Sequence, residues 1–95
     1  MTAMASGARG SVVVEFFGPF RKFGHERDLA VGGPLGYGTL LEKLGAELGD
    51  EFTEQAKRKN TTVSVNNRIA SPRNLDSLQI KPGDRVAFAL LLGGG

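Results

Sequence analysis

The spacing of apolar and polar residues changes along the chain, and each spacing predicts an element. SVVVEFF, 11–17, is β-branched and aromatic, the composition of a strand. Its near-continuous apolar character points to a central place in a sheet, buried on both faces. GPFRKFGH, 18–25, is broken by Gly18-Pro19 and Gly24 and reads as a turn region. ERDLAV, 26–31, sets Leu29 and Val31 on one face of a second strand, which a hairpin joins to the first. After a loop, GGPLGYG at 32–38, the period becomes helical, with Leu40, Leu41, Leu44 and Leu48 on one stripe. Thr39 and Glu42 have capping-box spacing at the start of that helix, and Gly49 suits a left-handed stop at its end.

The second half repeats neither pattern at length. EFTEQAKRK, 51–59, predicts a shorter helix with Phe52 and Ala56 inward. TTVSV, 61–65, alternates as a half-buried strand, and Asn66-Asn67 can take the positive φ of a tight turn. Ile69 resumes the sheet briefly. Leu75, Leu78 and Ile80 pin a winding segment to the core. Lys81 to Asp84 is a turn, and RVAFALL, 85–91, is a final strand with Val86, Phe88 and Leu90 on one face. A hairpin, a helix and further strands make an α+β protein with a mixed sheet and one main helix across a single face. The first and last strands both look central, so they are expected to pair in parallel, the β-grasp or ubiquitin-like arrangement. Residues 1–11 read as a flexible leader, 12–91 as the folded domain and 92–95 as a flexible glycine-rich tail.

Composition narrows the function more by exclusion than by hint. Ninety-five residues make one domain. No apolar run approaches the roughly 18 residues of a membrane helix, so no membrane role is expected. The absence of cysteine removes disulfides, thiolate metal sites and cysteine nucleophiles, and fits a cytoplasmic protein. Twelve basic against ten acidic residues give a net charge of only +2, without the basic stripe of a nucleic-acid binder. Lys57-Arg58-Lys59 closes the second helix and complements its dipole. His25, the sole histidine, sits in a turn beside Glu26. It has no second histidine or carboxylate cluster with which to bind a metal, and no serine lies in a G-x-S-x-G elbow. The 32–38 loop precedes a helix but lacks the lysine of a phosphate-binding loop.

What remains is the end, LLLGGG. Glycine has the most conformational freedom to lose, so a run of it adds nothing to a core. Either it is slack or it carries the chemistry. A carboxylate is a poor electrophile until adenylation supplies AMP as a leaving group, after which a sulfur nucleophile can attack the carbonyl. Leu92 to Gly95, extended, reach about 13 Å at roughly 3.3 Å per residue, and the three glycines lack the side chains that would block a narrow channel.

Three segments, in order, then resemble the MoaD/ThiS family of sulfur-carrier proteins. VVVEFFGPFRKFGH is similar to the first hairpin of the molybdopterin-synthase small subunit, VSVNNR to the family's V-x-V-N-G/N segment, and KPGDRVAF to the K-D-G-D-E-V-A-F segment. The spacing from Gly83-Asp84 aligns Gly94 and Gly95 with the family diglycine and puts Gly93 at the variable position before it. The resemblance implies that an E1-like enzyme adenylates Gly95, using ATP and magnesium, with no cofactor or metal bound to the carrier itself. The carboxylate would become a thiocarboxylate, with Gly94 and Gly93 passing through the channels. Phe17, Leu91 and Leu92 are candidates for a partner-docking face. A sulfur-accepting enzyme, in the molybdopterin branch the large synthase subunit acting on precursor Z, would take the sulfur. The carrier would be a protein co-substrate and not an enzyme. Leu90-Leu91 stand where that branch has Pro-Pro, as the thiamin carriers also lack the prolines. Thiamin, cysteine, thiosugar and tRNA-thiolation carriers therefore stay open. So do a ubiquitin-like modifier joined to lysine through Gly95 and a binding module with incidental glycines.

Overall fold

The two most apolar strands lie side by side at the middle of one sheet. The computed structural model describes residues 10–58 and 60–90, the side chains of Pro72 and Arg73 excepted. β1 (Ser11–Phe16) pairs antiparallel with β2 (Glu26–Ala30) and parallel with β7 (Arg85–Leu90). β7 pairs antiparallel with β4 (Thr61–Val65), which pairs with β5 (Arg68–Ile69), so the order is β2-β1-β7-β4-β5. Parallel neighbours need a long crossover. Here it carries α1 (Tyr37–Leu48) and α2 (Asp50–Ala56), and β3 (Leu35–Gly36) and β6 (Gln79–Ile80) form a separate small pair along it. This is the expected α+β, β-grasp fold, with a second helix beside the main one.

Period-2 alternation sends Val12, Val14 and Phe16 of β1 and Val86 and Phe88 of β7 to the helical side, where all are fully buried. They meet Leu40 and Leu44 of α1 and Phe52 of α2, with the Phe52 and Phe88 rings edge to face at 5.2 Å. Each such burial is worth about 1.5–3 kcal/mol before the entropy of ordering is subtracted. The helices cover one face only. Val13 on the other face is buried, but Glu15 is half-exposed and pairs with Arg85 at 2.6 Å, so β1 is not buried on both faces throughout.

Four local expectations are corrected. Phe17 lies just past the strand, and residues 18–23 form a 3-10 helix that buries Phe20 completely, not an open turn. The main helix begins at Tyr37, two residues before Thr39, and no side chain caps it. Pairing of Leu35 with Ile80 holds the chain against β6 and brings the Tyr37 amide to the Leu78 carbonyl at 3.2 Å, so tertiary pairing sets the helix start. Gly49 has the positive φ expected, 100°, but a ψ of 172° and not the left-handed helical value. Its N–H donates to the Gly45 carbonyl at 2.8 Å, and the chain re-enters α2 at once. α2 ends at Ala56, before the basic cluster, and Lys57 is its C-cap.

The other local readings agree. Phe52 and Ala56 are buried, Asn66 and Asn67 have φ of 53° and 71°, and Ile80 is fully buried with Leu75 and Leu78 packed beside it. Among the described residues no helix is long and apolar enough to cross a membrane.

Candidate functional site

Parallel strands finish at the same end of a sheet, so β1 delivers Phe16 beside the place where β7 delivers Leu90. The Phe17 amide donates to the Phe88 carbonyl at 2.9 Å, carrying the ladder one step beyond β1. The Phe17 side chain is 41% exposed, one of two large apolar side chains left so among the described residues. Gly18, at φ +59°, turns the chain away into the 3-10 helix. A Cβ there would meet the Leu90 nitrogen at an ordinary 4.0 Å, so the backbone angle and not crowding calls for glycine. Arg21 braces this corner: its Nε donates to the Phe16 carbonyl at 2.9 Å, and its guanidinium stands 5.8 Å from the Phe17 ring centre.

β4 closes the other side. Thr61 pairs with Leu90, donates its hydroxyl to the Gln55 carbonyl at 2.7 Å, and donates its amide to the Arg58 carbonyl at 3.1 Å. Those bonds hold the end of α2, with exposed Lys57 and Arg58, at the same end of the sheet. Leu90 is thus reached between an apolar corner, Phe17 with Arg21, and a basic one, Lys57 with Arg58. Cations there favour an anionic group close by, at solvent-exposed strength. The sequence offered no sign of this: Arg21 looked like a turn residue, and Lys57 and Arg58 only like the close of a helix. The Phe16–Phe88 and Thr61–Leu90 registers together bring them to one end of the sheet.

Gly93, Gly94, Gly95, Leu91 and Leu92 lie outside the described residues. Of the candidate docking residues the structure therefore places Phe17, exposed at the base of the segment. His25 is exposed in its turn, and its carbonyl accepts the Phe16 amide at 3.0 Å. Among the described residues no three of His, Cys, Asp and Glu are grouped to hold a metal. The 32–38 loop commits Leu35 and Gly36 to strand pairing and the Tyr37 amide to Leu78, so it is not an open phosphate cradle. Tyr37, read from sequence as a loop residue, is buried, and its hydroxyl has no hydrogen-bond partner among the described residues. Burial disfavours the phenolate and pushes its pKa up to about 12.

With this geometry in hand, comparison with known proteins identifies the lineage. The ThiS family model matches residues 14–95, and the chain belongs to the ThiS family. Among solved structures it is similar to a thiamine biosynthesis protein (ThiS) from Geobacter metallireducens, with 22% identity, 90% of this chain and 99% of that chain covered, and a TM-score of 0.56. It is also similar to SAMP1 from Haloferax volcanii, with 19% identity, 90% of this chain and all of that chain covered, and a TM-score of 0.68. At these identities the two structures speak for the fold. A search of curated protein sequences found no significant match.

Proposed function

We propose that this ThiS-family chain is a sulfur carrier whose working group is the carboxyl of Gly95. The observation that carries the reading is the position of β7, held between β1 and β4 at the centre of the sheet. A strand fixed on both sides makes Leu90, the residue before LLGGG, a rigid point. An E1-like enzyme would draw in Gly93 to Gly95 and transfer AMP from ATP to the carboxylate, releasing pyrophosphate. A sulfur donor would then displace AMP to leave a thiocarboxylate. Magnesium serves the ATP in that enzyme. The carrier contributes the chain end, the span to reach a buried site, and the Phe17 corner as a docking surface, with Leu91 and Leu92 completing it.

The acceptor in this proposal is the large subunit of molybdopterin synthase, supported by the FFGPFR segment of the first hairpin. A second reading, a thiamin-type carrier, is favoured by the ThiS family match and by Leu90-Leu91 in place of Pro-Pro. One experiment tests both levels. The full chain is incubated with candidate activating enzymes, ATP and a sulfur donor and weighed intact. Exchange of one oxygen for sulfur on Gly95 is expected, and an unchanged mass with every activating enzyme of the same cell argues against the carrier. The thiocarboxylated product, offered separately to molybdopterin synthase large subunit with precursor Z and to thiazole synthase, then identifies the acceptor by which one discharges it.

A further inference from the structure

A groove of about 390 Å³ runs between α1, the end of α2 and β4, on the helical side of the sheet. This size falls at the lower end of the roughly 300–1,000 Å³ of ligand pockets. Its apolar lining comes from Leu41, Val63 and Leu75, which belong to or pack on the core. Lys57 and Arg58 line it too, against the single carboxylate of Asp76, and among the described residues neither cation forms an ion pair. Tyr37 also lines it. Lys57 and Arg58, the second corner of the functional site, form one wall of this groove with Thr61, the partner of Leu90, so an occupant would sit beside Leu90.

We infer that this groove docks an acidic segment of a partner protein, which lodges one bulky apolar side chain against Leu41, Val63 and Leu75 and sets flanking carboxylates against Lys57 and Arg58. The charge arrangement selects the occupant. Exposed cations beside an apolar lining match an apolar residue between acidic neighbours, and a basic or nucleic-acid-like partner fits one half of that pattern or neither. None of this depends on chemistry at Gly95.

The test uses the full chain, isotope-labelled, titrated with acetyl-Asp-Asp-Leu-Phe-Asp-amide and, separately, with its counterpart bearing lysines for the aspartates. Amide shifts centred on Leu41, Lys57, Arg58 and Val63 are expected with the acidic peptide alone. Reversing both rim charges, Lys57→Glu with Arg58→Glu, should weaken binding about tenfold. Lys57→Gln with Arg58→Gln, milder at the helix end, should weaken it about threefold. No shifts at millimolar peptide, an equal response to the basic peptide, or undiminished binding by the charge variants overturns the proposal. Removal of residues 91–95 that shifts the groove signals and tightens peptide binding also overturns it, by assigning the groove to the chain's own end.

Discussion

The Phe17 amide donates to the Phe88 carbonyl at 2.9 Å, tying the corner after β1 to the strand that leads to the chain's end. That bond belongs to the backbone, and the Phe17 ring, 41% exposed beside the Arg21 guanidinium, keeps surface open to a partner. Phe17→Ala should therefore change stability by no more than about 0.5 kcal/mol in a urea titration. With the activating enzyme it should raise KM several-fold and leave kcat level, the mark of a lost docking contact. A variant that melts early instead would show that the ring supports the fold.

Gly94 and Gly95 should separate chemistry from folding in the opposite sense. Deleting both should abolish thiocarboxylate formation while the urea midpoint stays unchanged. Gly94→Val should slow adenylation strongly, because a branched Cβ both crowds a channel and restricts the backbone. Intact-mass spectrometry and a denaturation curve on the same preparations check the pair of outcomes.

The core has a clear centre. Phe88 is fully buried and touches Phe52 at 5.2 Å and Phe20 at 5.7 Å between ring centres. Phe88→Ala should cost about 3–5 kcal/mol. Against the roughly 5–15 kcal/mol total of a natural domain, that leaves a marginal fold. Phe88→Leu, which refills most of the space, should cost much less, and chemical denaturation measures the difference.

Tyr37 predicts a pH dependence. Its phenol stays protonated in the folded state up to about 12, whereas an unfolded tyrosine ionises near its ordinary value of 10.0. Between those values the unfolded state has one proton fewer. Stability is thus fully present below pH 10 and falls by about 1.4 kcal/mol per pH unit above it. Urea midpoints for the natural chain and Tyr37→Phe should run parallel at neutral pH and diverge above pH 10, with only the natural chain losing this contribution.

The Asn66-Asn67 turn distinguishes its two members. Among the described residues Asn67, at φ 71°, makes no side-chain hydrogen bond that would resist Asn67→Gly, which should be neutral or slightly stabilising. Asn66, at φ 53°, also accepts the Arg85 amide at 2.9 Å and donates to Asp84 at 3.1 Å, clasping β4 to β7. Asn66→Gly keeps the backbone angle and loses both bonds, so it should cost about 1–2 kcal/mol by thermal or urea melting.

Most of the architecture was written locally. The β-branched run at 11–16, the leucine stripe from 40 to 48 and the alternation at 61–65 each encode one conformation and one buried face, and short-range sterics and burial suffice to read them. The parallel pairing of first and last strands followed from their shared apolar character. The family resemblance and the candidate end at Gly95 were legible for the same reason: they are contiguous strings. What only the tertiary structure decided was everything that depends on register between distant segments. Leu35 meeting Ile80 moved the helix start to Tyr37. Thr61 meeting Leu90 carried Lys57 and Arg58 to the sheet end, opposite Phe17 and Arg21. Burial on one face left Glu15 to pair with Arg85 and shut the Tyr37 hydroxyl away from any partner among the described residues. A sequence states what each residue prefers of its neighbours along the chain; which strangers it meets is settled when a sheet closes around one shared core, because only then does each register carry an energy of its own.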